Sequence, residues 1–145
     1  MRPMVRIFLF TTCLLAAGSL FPTHAQEGGT EKNSDVVVLH FEPLTYPTPA
    51  AARHIQGAVV VQVKLDKDGR VTDAEAISSG SSDLTFPAIT NVKKWTFEPN
   101  GHKTAIVIYS FIMLDGRCVL YSTLFVLQGK NLATVISCPP NNMNP

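Results

Sequence analysis

Residues 58–77 read Ala-Val-Val-Val-Gln-Val-Lys-Leu-Asp-Lys-Asp-Gly-Arg-Val-Thr-Asp-Ala-Glu-Ala-Ile, and the alternation within them decides the fold class. Val59, Val61, Val63 and Leu65 fall on one face of an extended chain, and Ala58, Val60, Gln62 and Lys64 on the other. A period of two with one apolar face describes a strand half-covered by a core. Asp66-Lys67-Asp68-Gly69-Arg70 then turns the chain, because Asp-Gly readily supplies positive backbone angles. Val71–Ile77 returns as the second arm of a hairpin, with Ala74 and Ala76 facing inward because Asp73 and Glu75 need water.

Working outward, each flank carries a short helix. Before the hairpin, Tyr46-Pro47-Thr48-Pro49 reads as a helix start, with Thr48 as cap and Pro49 at the first position. Ala50–Ile55 continues it, and Gly57 is expected to end it in a left-handed turn. After the hairpin, Ser78–Asp83 reads as a loop. Thr85 and Pro87 mark a second helix start, followed by Phe86, Ile89, Val92 and Trp95 at helical spacing. That helix stops before Pro99, since the residue ahead of a proline resists the α region. Trp95, the chain's one tryptophan, and Phe97 then form a buried joint, with Lys93 and Lys94 pointing to water and Asn100-Gly101 turning the chain onward.

Thr104–Leu114 is apolar on both faces, so it reads as an interior strand. Asp115-Gly116 is a turn, Cys118–Leu127 a strand, Gln128–Asn131 a turn, and Leu132–Cys138 a strand pairing back on it. An earlier strand-like run, Val36–Phe41, stops at Glu42-Pro43. The fold class expected is α+β, in the order helix, strand, strand, helix, strand, plus an extra C-terminal strand pair. Its sheet is antiparallel with two helices on one face, and the 104–114 strand lies beside 58–65, the placement that right-handed connection favours.

The chain has 145 residues, one domain's worth. Residues 1–25 read as a signal peptide: Arg2 and Arg6, an apolar run from Ile7 to Phe21, then Pro22-Thr23-His24-Ala25. A helix over that run would cover about 22 Å against a hydrocarbon core of about 30 Å, so an uncleaved inner-membrane anchor is the alternative. Residues 26–35 are a flexible leader, 36–140 the domain (core 44–114, extra hairpin 115–138) and 141–145 a tail. Without Arg2 and Arg6, the twelve basic side chains fall to ten against eleven acidic ones. That balance argues against a nucleic-acid partner. Of three cysteines, Cys118 and Cys138 remain after cleavage, and in an oxidising compartment a disulfide between them is the expectation. The alternative, a zinc site with His102, lacks tight Cys-x-x-Cys spacing.

No constellation points to catalysis, a cofactor, a metal or a small-molecule substrate. His40, His54 and His102 lie in separate units, the serines at 78–82 have no nucleophile-elbow pattern, and Asp66–Gly69 lacks the later acidic ligands of a calcium loop. Lys93, Lys94 and Lys103 are either a modest basic patch or solvated helix-end cations. Tyr46 and Arg53 are either partner contacts or packing residues.

The ordered pieces Tyr46-Pro47, Ala50–Arg53, Gly57 with its valine-rich strand, Asp68-Gly69-Arg70-Val71, and Val92-x-x-Trp95-x-Phe97-x-Pro99 resemble the C-terminal domain of the TonB family of periplasmic energy transducers. The resemblance covers about residues 44–114. It implies the same fold, no enzyme activity, and a periplasmic protein partner such as an outer-membrane TonB-dependent transporter. It also implies strand addition by the partner's TonB box along 104–114, where Thr104, Ile106, Ile108, Ser110 and Ile112 are the candidate partner-binding residues. The chain departs from the family in lacking a long proline-rich spacer and in carrying the strand pair after Gly116. A strand at 118–127, hairpinned to 104–114, is expected to cap the receiving edge, with Cys118–Cys138 holding the cap.

Overall fold

The computed structural model describes residues 36–99, 101–115, 118, 123–129 and 131–140. All of them fall in one compact unit, Glu31–Pro145. The expected signal peptide, leader and tail, the turn residues Asn100 and Gly116, and residues 119–122 of the expected 118–127 strand lie outside the described residues.

The hairpin is where the alternation puts it. Strand β2 (Gly57–Leu65) pairs antiparallel with β3 (Val71–Ser79). Val59, Val61 and Val63 are fully buried and Leu65 nearly so, each contributing about 1.5–3 kcal/mol relative to an exposed position. Ala74 and Ala76 pack against the same core. The turn is held by Asp66, whose Oδ1 accepts from the amides of Asp68 and Arg70, both at 2.9 Å. Gly69, at φ +77°, crosses it.

Both helices differ from expectation at their starts. Helix α1 (Thr48–Ala52) takes Pro47 as N-cap, without a side-chain cap bond, so Thr48 is its first residue. It ends at Arg53, and His54, at φ +54°, takes the left-handed position expected of Gly57; Gly57 instead opens β2. Helix α2 (Ser82–Val92) begins three residues before Thr85. Ser81, within the expected serine loop, is its N-cap, accepting from Asp83 N at 3.2 Å. Pro87 therefore sits inside the helix and forfeits one bond to the preceding turn. The inward face is Leu84, Ala88, Asn91 and Val92, while Phe86, expected on it, is 75 % exposed.

Two short strands join the segment ahead of α1 to the tryptophan joint: β1 (Val38–His40) pairs antiparallel with β4 (Thr96–Phe97). The longer sheet has the order β3-β2-β5-β7-β6, with β5 (Thr104–Met113), β6 (Leu124–Gln128) and β7 (Leu132–Ser137). β5 is antiparallel to β2, as expected, and α2 packs against β2, β3 and β5. The fold is α+β with two helices, but its sheet is mixed, because β7 lies parallel to β5. The expected hairpin of 118–127 onto 104–114 does not form: β7 takes that place and β6 pairs antiparallel on β7's far side. Burial explains the order. Ala133, Thr134 and Val135 are successive buried residues, which suits a strand covered on both faces, whereas β6 has exposed ends and only half-buried residues between.

Candidate functional site

Along β5 the residues Ala105, Val107, Tyr109, Phe111 and Met113 are buried under the helices. The predicted partner-binding residues Thr104, Ile106, Ile108, Ser110 and Ile112 alternate with them on the helix-free face, half-buried except for exposed Ile112. β7 fills the edge beside them, with Ile108 opposite Leu132, Ser110 opposite Thr134 and Ile112 opposite Ile136. At one end Ile108 N donates to Asn131 O at 3.0 Å; at the other Leu114 N donates to Ser137 O at 3.0 Å. The Asn131 side-chain amide reaches Ile106 O at 3.4 Å. The backbone bonds that an added strand would make from Ile108 to Met113 are thus made by the chain itself.

The strand that fills the edge is covalently fastened. Cys118 and Cys138 are bonded to one another, with Cα atoms 5.6 Å apart. Cys138 directly follows β7, and Cys118 lies on the link leaving β5, so the bridge encloses β6, its turn and β7.

The motif residues that carry the resemblance form the frame behind this edge. Tyr46 is buried, with its hydroxyl donating to Ile55 O at 2.6 Å, its amide donating to Thr123 Oγ1 at 3.1 Å, and its ring edge-on to Phe111. Pro47 caps α1, and Pro99 is exposed where β4 ends. Phe97 N donates to Gly69 O at 2.8 Å, tying β4 to the hairpin turn. Trp95 and Phe97 are buried, and Phe41, Phe125 and Tyr109 pack around the indole.

One residue of this frame escaped sequence reading. Asn91 Oδ1 accepts from Trp95 Nε1 at 3.1 Å and from Tyr109 Oη at 2.7 Å, and its Nδ2 donates to Glu42 O at 2.9 Å. A polar residue four positions before a buried tryptophan was the available signal. Burial holds the Tyr109 phenol far above its ordinary range, and Tyr46 is raised for the same reason.

Lys94 and Lys103, two of the three lysines of the expected basic patch, are engaged at different places. Lys94 pairs with Glu42 at 2.8 Å, Lys64 with Asp73 at 3.0 Å, and Arg53 with Asp83. Lys103 instead lines a cleft of about 540 Å³ at the hairpin-turn end, beside Lys64, Lys67, Asp66 and Glu98. Among the described residues no three His, Cys, Asp or Glu side chains gather as a metal site, and no helix is long and apolar enough to cross a membrane.

Residues 42–112 match the family model described as Gram-negative bacterial TonB protein C-terminal. Protein TonB of Pseudomonas aeruginosa is 35 % identical over 72 residues, which are 49 % of this chain and 21 % of that protein. The chain therefore spans about a fifth of the length of this curated relative. The solution NMR structure of the Pseudomonas aeruginosa TonB CTD is similar at 31 % identity, covering 60 % of this chain and 95 % of that one, with a TM-score of 0.47.

Proposed function

This chain belongs to the TonB C-terminal domain family through residues 42–112, and on that footing we propose that it is a non-catalytic protein-binding module of the cell envelope serving TonB-dependent transport. The observation that supports the reading is the family frame from Tyr46 to Pro99, in which Tyr46 and Trp95 pack on β5 and Phe97 is tied to the hairpin turn. The Cys118–Cys138 bridge supports export to an oxidising compartment, the periplasm. Its partner in this reading is an outer-membrane TonB-dependent transporter.

The filled β5 edge favours a second reading, an adaptor that binds peptidoglycan or an assembly partner without transducing energy. Capture from an envelope extract by the purified full chain separates the two. Enrichment of transporters bearing a TonB box supports the first; sedimentation with cell-wall sacculi supports the second. Capture of neither class overturns both.

A further inference from the structure

The five-stranded sheet ends in β3 on one side and β6 on the other, and the two edges are built differently. β3 carries Asp73 and Glu75, and its register with β2 shifts at two places. Charges and bulges are the usual means of blunting an edge strand against further pairing. β6 is Leu124-Phe125-Val126-Leu127-Gln128, with no charge and no proline, in unbroken register with β7. Among the described residues no strand pairs with its outer side.

Four of the five side chains of β6 are apolar, and they fall on both faces of the sheet. On the helix side Phe125 stacks on Phe41 at 5.6 Å, and Phe41 remains 37 % exposed. On the open side β6 presents Leu124, Val126 and Gln128 along the edge, and Leu124, 45 % exposed, is continued inward by Ile136 and by Ile112, 38 % exposed. An added strand would set alternate side chains beside Phe125 and Leu127 on one face and beside Leu124 and Val126 on the other.

We propose that β6 is the docking edge of this module, and that its occupant is a short, uncharged, aliphatic-rich strand of a partner protein. This rests on the protein-binding reading above and moves strand addition from the filled β5 edge to the outer edge of the strand pair that fills it. The absence of charge along β6 selects against a charged occupant, whose desolvated ions would find no counter-charge. A second copy fits less well. Antiparallel self-pairing centred on Val126 sets Leu124 opposite Gln128, so the apolar row would end on an amide.

The test is NMR on the full chain, titrated with a synthetic eight-residue peptide alternating valine and threonine. The expected result is slowed exchange of the Leu124–Gln128 amides, with Leu124→Lys weakening binding at least tenfold and Ile77→Lys, on the β3 edge, leaving it unchanged. Perturbation of the Ile108–Met113 amides instead, no perturbation at millimolar peptide, or an edge already protected by a concentration-dependent dimer overturns the proposal. A transporter captured equally by wild type and Leu124→Lys overturns the edge assignment alone; loss of capture by both overturns the function proposed above.

Discussion

At the scale of the residue, Asn91 is the polar member of α2's buried face, and three segments meet on its side chain. Asn91→Leu keeps the branched outline, at a larger volume, but removes the acceptor for the Trp95 and Tyr109 donors, which stay buried. The expected loss is about 3 kcal/mol, read from urea denaturation. Trp95→Ala removes the centre of the aromatic cluster and is expected to cost about 3–5 kcal/mol; lost partner capture with stability unchanged would instead mark Trp95 as a binding surface. At Gly69 a Cβ would overlap the Phe97 carbonyl oxygen on a backbone at positive φ. Gly69→Ala is therefore expected to lower stability by upwards of about 2 kcal/mol in the same assay. Gly57 faces open space but is itself at positive φ, +141°, so Gly57→Ala should cost less than Gly69→Ala, carrying the backbone strain without the overlap. The buried face of β2 was legible because every second residue is Val or Leu. Asn91 was not, since an asparagine on a helix reads as solvated until its partners are placed.

At the scale of the element, legibility followed how much periodic sequence each element has. β2, β3 and β5 run nine or ten residues, long enough for alternation to speak. β4 has two, too few for any period. The start of α2 was hidden because its cap, Ser81, sits among three other serines between 78 and 82, and Pro87 imitates a first-turn proline. The C-terminal strands were visible as strands, but alternation does not say which of two strands lies inside. That order was settled by the small, buried side chains of β7. The disulfide decides how firmly this pair stays docked. Replacing both Cys118 and Cys138 with serine is expected to cost about 3 kcal/mol on the chain-entropy model. Amide exchange locates the effect: Ile108–Met113 should exchange faster, while the β2–β3 pairs keep their protection.

At the scale of the whole molecule, two buried tyrosines make stability depend on alkaline pH. The Tyr109 phenol is held neutral by burial, far above its ordinary range, and Tyr46 is raised as well. Unfolded, both ionise near pH 10. Their folded pKa values being the higher ones, the contribution is complete below about pH 10 and is lost as pH rises beyond it. Urea midpoints at pH 8, 10 and 11 should fall across the last interval, and less steeply for Tyr109→Phe. The sulfur bridge has a mechanical consequence too. A pull applied to the chain beyond Cys138 does not run back through β7 and β6. It crosses directly to Cys118 and reaches β5 through the link that leaves it. The two added strands are thereby taken out of the load path: tension on the tail cannot peel them away one bond at a time, and it arrives at the strand framed by the family motif.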